Sequence, residues 1–98
     1  MNKINKGALA VTELLDNVPG ISKLITNKKV LPETAYGWGG LEFNLKSKGK
    51  IFKHSIFLSF ADLYDVTANG KTMKDMFTGE VHQLLTWVVA YEDFKEEE

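Results

Sequence analysis

Leu41–Phe60, LEFNLKSKGKIFKHSIFLSF, is the stretch whose reading decides the fold. In its first half Leu41, Phe43 and Leu45 alternate with Glu42, Asn44 and Lys46, so an extended chain has one apolar side and one wet side. In its second half Phe52, His54, Ile56, Leu58 and Phe60 share one parity, while Lys53, Ser55 and Ser59 take the other. Ile51 and Phe57 interrupt the polar side, which predicts partial cover there as well. The Phe and Ile content suits a half-buried pleated surface. Between the halves, Lys48-Gly49-Lys50 predicts a turn of three to five residues in which Gly49 supplies a positive φ. The pattern therefore predicts two antiparallel strands, and a slip of one residue would exchange their faces.

On the N-terminal side, Ala8, Val11, Leu15 and Val18 recur at three and four residues, with Leu14 widening the stripe, and predict a helix over Lys6–Val18. Asn5 is its expected cap, and Pro19-Gly20 ends it. Ile21, Leu24 and Ile25 add one apolar turn before the polar run Thr26-Asn27-Lys28-Lys29. Pro32 restricts Leu31 to extended backbone. Tyr36-Gly37-Trp38-Gly39-Gly40 then sets two large aromatics among three glycines, as a bulged start to the first strand or as an exposed aromatic contact.

On the C-terminal side, Ala61–Thr67 is expected to continue as a strand, and Asn69-Gly70 is the clearest turn signal. Lys71–Met76 reads as a short returning strand, or as helix if Thr72 and Asp75 form a capping box. Gly79 pushes the helix start toward Thr78. From Glu80 to Phe94, Val81, Leu84, Leu85 and Val88 keep helical spacing, although Thr86–Tyr91 is also good strand material. As a helix, the segment carries a second ridge, Leu84-Trp87-Tyr91-Phe94, that needs the sheet or another subunit against it. Residues 95–98 are expected to be a frayed acidic tail. The whole predicts one small α+β domain over residues 1–98: an N-terminal helix, an antiparallel sheet of three to four strands, and a C-terminal helix packed on the sheet.

Composition narrows the function classes. With 44% apolar residues the chain is a folding sequence, and with no cysteine it holds no disulfide, thiolate ligand or thiol nucleophile. Glu13 and Asp16 interrupt the first apolar run too early for a signal peptide, and no run approaches the roughly 18 apolar residues of a membrane span, so a cytoplasmic protein without membrane contact is expected. The net charge of −1 hides a polarity. Residues 1–53 hold nine lysines against four acids, and residues 54–98 hold three lysines against nine. Arginine is absent, which counts against a dedicated reader of phosphates or bases.

No nucleophile elbow, phosphate loop, dinucleotide fingerprint or zinc-protease motif occurs. His54 falls among Phe52 and Ile56 and is expected to be a hydrogen-bonded core residue; with His82 and Asp62 or Asp65 it matches no ligand spacing. Asp62 and Asp65, three apart in the expected strand, fall on opposite faces and do not form an acid–base pair. The expectation is a non-enzyme without metal or cofactor, a histidine-dependent nuclease being the one enzymatic class left open. Instead, the surplus of aromatics predicts a small protein-binding module, with contacts at Tyr36, Trp38, Trp87, Tyr91 and Phe94. Size and composition suit an inhibitor or accessory factor of a phage or other mobile element, with an unidentified protein partner and a homodimer as a further option. The alternative is a nucleic-acid-binding domain that uses Lys46, Lys48, Lys50 and Lys53 on a protruding hairpin.

Overall fold

The computed structural model describes residues 5–95 apart from 48 and 69, with side chains described throughout except at 47 and 91–95. Its centre is the expected hairpin, β2 (Gly37–Ser47) against β3 (Lys50–Ser59). Leu41 stands opposite Ile56, Phe43 opposite His54 and Leu45 opposite Phe52, so the two apolar rows coincide. Leu41, Phe43, Leu45, Ile56 and Leu58 are all buried. Each such side chain contributes about 1.5–3 kcal/mol on burial. A one-residue slip would expose all of them, a loss comparable to the whole stability of about 5–15 kcal/mol, and this fixes the register. The turn is shorter than expected: Ser47 pairs with Lys50, and Gly49 takes φ 79° between them.

The sheet has five antiparallel strands in sequence order, not three to four. The additional strand is β1 (Ile25–Leu31), which pairs with β2 from Ile25 opposite Leu45 to Leu31 opposite Gly40, with a register shift between Thr26 and Lys29. Four successive polar residues conceal it in the sequence, because an edge strand with one wet margin needs few apolar positions. Beyond β3 the chain turns at once. Ser59 N donates to the Leu63 carbonyl (2.9 Å) and Asp62 N to the Ser59 carbonyl (3.0 Å), so β4 is confined to Tyr64–Ala68 rather than running from Ala61. Phe60 accordingly leaves the inward row and is half exposed. After the turn at Gly70 (φ 85°), β5 (Lys71–Met76) returns as a strand. Thr72 therefore caps no helix; its hydroxyl bonds that of Thr67 across the ladder at 3.0 Å.

Helix α1 (Lys6–Asp16) begins where Asn5 Oδ1 accepts from Ala8 N at 2.7 Å. Such a cap is worth roughly 1 kcal/mol. The same side chain donates through Nδ2 to the Leu31 carbonyl at 2.8 Å, so it also pins the helix start to the end of β1. Ala8, Val11, Leu14 and Leu15 face inward, and the helix lies against β2 and β3. A 3₁₀ turn, Ile21–Lys23, follows and buries Ile21. Helix α2 (Thr78–Lys95) starts at Thr78, with Glu80 Oε1 accepting from Phe77 N at 2.8 Å, the glutamate half of a capping box. It sends Val81 and Leu85 into the core and touches β4, the 3₁₀ turn and α1. The helical alternative for 84–91 is thus the observed one. Helix α2 extends to Lys95, and residues 96–98 of the expected acidic tail lie outside the described residues. The other side of the sheet carries Glu42, Asn44, Lys46, Lys53 and Ser55, the wet face of a sheet covered on one side.

Candidate interaction surface

Two groups of aromatic and apolar side chains reach the surface. The first stands at the start of β2. Tyr36 N donates to Thr34 Oγ1 at 3.0 Å, and the Tyr36 carbonyl accepts from Phe60 N at 3.4 Å. The backbone is held on both sides while the ring is 82% exposed. Trp38 is half-buried, edge-on to Phe60 with centroids 4.8 Å apart, and Lys6 Nζ stands 4.4 Å from the indole centroid. Trp38 is thereby a packed support with its ring engaged, and Tyr36 is the free one.

The second group lies between β5 and α2. Met76, Glu80, Gln83, Leu84 and Trp87 line a groove of about 230 Å³. Trp87 on its lining is 65% exposed; Met73 in β5 and Phe77 just before α2 are exposed at 40% and 64%. The groove exists because α2 is apolar on nearly every side. Val81 and Leu85 are buried in the core, Leu84 packs half-buried against it, and Trp87 on the same flank is 65% exposed. Trp87 therefore has different neighbours from Trp38, and the two tryptophans belong to different patches. Tyr91 and Phe94 continue α2, but their side chains lie outside the described residues. Met73, Met76 and Phe77 were missed as surface candidates. The ambiguity of 71–78 between strand and helix hid the strand-to-helix corner that brings Met76 beside Leu84.

The lysine feature is divided. Lys46 and Lys53 share the wet face with Asn44, whereas Lys50 has the opposite parity, and Lys48 lies outside the described residues. Lys53 Nζ is 3.5 Å from Glu42 Oε2, and Lys29 on β1 stands opposite the same glutamate. Glu42 thus sits between Lys29 and Lys53 on the wet face.

Both histidines are engaged separately. The His54 ring stacks on Phe43 with centroids 5.9 Å apart, and Nδ1 donates to the Phe52 carbonyl at 3.2 Å. Burial lowers the His54 pKa from its ordinary value, an effect larger than the opposing contribution of that hydrogen bond. His82 Nε2 donates to the Asn17 carbonyl at 2.9 Å and ties α2 to the end of α1. The buried Tyr64 phenol is raised, first by burial, and its hydroxyl bonds Thr78 at the first residue of α2. Asp62 sits in the β3–β4 turn and not in a strand, at φ 62°. Asp65 Oδ1 accepts from Asp75 N at 3.1 Å, so the two acids have separate structural tasks.

The depressed His54 pKa has a sign that can be measured. Below about pH 6.5 the unfolded chain takes up a proton that the folded chain resists, so stability falls as the pH drops from there toward the folded-state value. Above that window the contribution is fully present. The His54→Phe variant should show a shallower loss of its urea midpoint between pH 7.5 and pH 5. Identical pH dependence in both proteins would show that the imidazole is not held neutral by its surroundings.

Comparison with protein-family models, curated proteins and solved structures gives no match to this chain.

Proposed function

We propose that the protein is a non-enzymatic protein-binding module that docks its partner in the groove between β5 and α2. The observation that carries this reading is Trp87, 65% exposed at the mouth of a groove floored by Met76 and Leu84. An apolar floor inside a polar rim, here Glu80 and Gln83, is the anatomy of an interface core. Tryptophan is the side chain most enriched among those that dominate binding energy, and methionines adapt the floor to the shape that enters. Large apolar side chains clustered in water are otherwise a solubility cost. In this reading α2 roofs the β4–β5 end of the sheet with one flank and offers the other to the partner. Such a module acts by occupying a surface, as an inhibitor or an accessory factor does.

Photo-crosslinking tests this. With benzoylphenylalanine in place of Trp87, the full chain expressed in its host should give a discrete protein adduct. The same probe at Lys53, on the wet face of the sheet, should give none. Absence of an adduct at position 87, or the same adducts at both positions, would remove the proposal.

A further inference from the structure

We infer that helix α2 is a strap that opens from the sheet as one unit, while α1 and the β2–β3 hairpin stay folded. The two helices are fastened differently. Helix α1 lies on β2 and β3 and buries Gly7, Ala8, Val11, Leu14 and Leu15. Gly7 approaches Gly39 so closely that a Cβ there would overlap that backbone, and Asn5 ties the helix start to Leu31. The strands beneath α1 carry Leu41, Phe43 and Ile56, so lifting it means opening the core.

Among the described side chains of α2, Val81 and Leu85 are the buried ones, and the main neighbours of this helix are β4, the 3₁₀ turn and α1. Three further fastenings hold it. Thr78, its first residue, bonds the Tyr64 hydroxyl. The His82 ring meets the Asn17 carbonyl at 2.9 Å. A Val89 methyl packs over Gly20, 3.1 Å from where a Cβ on that glycine would stand. All three end on β4 or on the segment between α1 and the 3₁₀ turn, so releasing them leaves the β2–β3 ladder paired. A segment with few buried apolar contacts opens below the cost of global unfolding. The joint to β5 has room to turn: Phe77 is 64% exposed, and nothing lies within 4 Å of a Cβ at Gly79.

Opening bears on the groove. Met76 belongs to β5, whereas Glu80, Gln83, Leu84 and Trp87 belong to α2, so the groove is assembled only while the strap is closed. A partner seated there binds the closed form and holds it shut by mass action. This consequence rests on the docking reading above; the opening itself does not.

Native-state hydrogen exchange on the full chain, read residue by residue by NMR in low urea, tests the strap. Amides of residues 84–90 should share one protection factor, at least about tenfold below that of the β2–β3 ladder, and one smaller urea slope. His82→Ala should speed their exchange about fivefold. Leu41→Ala, on the side bordered by α1 and β1, should speed exchange of the ladder about thirtyfold or more. It should leave α2 unchanged, because the open and closed forms lose that contact alike. If Leu41→Ala does not fold, Leu41→Val makes the same comparison at smaller size. Equal protection in α2 and the ladder, no response to His82→Ala, or equal acceleration of both by the Leu41 variant would overturn the inference. So would protection that declines stepwise along α2, which is fraying and not a strap. The two readings fail separately: a missing adduct at position 87 leaves the strap standing, and uniform exchange leaves the docking site standing.

Discussion

Truncating Phe43 to alanine should remove about 3–5 kcal/mol of folding stability. The ring is 1% exposed, midway along β2, with Leu41 and Leu45 beside it on the same face and the His54 ring stacked on it from β3. Removing it leaves a cavity in the one layer that α1 and the sheet share, and it strips a neighbour from an imidazole that depends on apolar surroundings. Domains of this size have about 5–15 kcal/mol in total, so the variant should be marginal or unfolded at 37 °C. In urea the midpoint should fall with little change in slope, and Phe43→Leu should lose much less. The exposed Leu9, truncated in the same way, should change stability by no more than about 0.5 kcal/mol. A loss below about 1 kcal/mol for Phe43→Ala would mean that the core is not centred on this hairpin.

Gly40→Ala should be comparably damaging for a different reason. A Cβ at Gly40 would lie 1.9 Å from the Ile56 carbonyl oxygen and 2.8 Å from the Phe57 Cα. Both are backbone atoms of the neighbouring strand, so no rotamer change relieves the contact. Ordinary overpacking costs about 1–3 kcal/mol, and a clash that must separate two paired strands belongs at or beyond the upper end. Gly49→Ala is the control that separates space from conformation. Nothing approaches within 4 Å of that position, but its φ of 79° costs an L-residue roughly 1–2 kcal/mol. Amide exchange across the β2–β3 ladder should therefore accelerate strongly for Gly40→Ala and only mildly for Gly49→Ala. The reverse order would show that the close approach of β2 and β3 at Gly40 is not what the strands require.

The hairpin was legible because the apolar row keeps period two from Leu41 to Leu45 and from Phe52 to Leu58, although Ile51 and Phe57 interrupt the polar side, and a strand pair satisfies it. Asn5 was legible as a cap for a similarly local reason, and Asn69-Gly70 marked the return into β5. The strand β1 was not, since Thr26–Lys29 has the composition of a loop and becomes a strand only through the ladder that β2 offers it. The early end of β3 was hidden too, because Phe60 continues the apolar parity but the chain turns at Ser59–Asp62. For the candidate site, Trp87 could be picked out as an aromatic in excess of the core's needs. Its companion on the groove, Met76, could not, since their proximity depends on a corner in three dimensions. Trp38 looked equivalent to Trp87 in the sequence, but Phe60 and Lys6 occupy its ring. Among the described lysines of the run, Lys50 and Lys53 stand three residues apart in β3 and so point to opposite sides, a division that linear spacing alone does not display.

Both outer strands contain a break with a left-handed L-residue, Asn27 at φ 55° in β1 and Asp75 at φ 58° in β5, and each break stands beside lysines, Lys28 and Lys29 or Lys71 and Lys74. An intruding peptide looking for a flat row of amides and carbonyls finds at either flank a kinked, cationic selvedge. The fabric is therefore finished at five threads. The same hems that oppose lengthening of the sheet guard it from stacking into fibres.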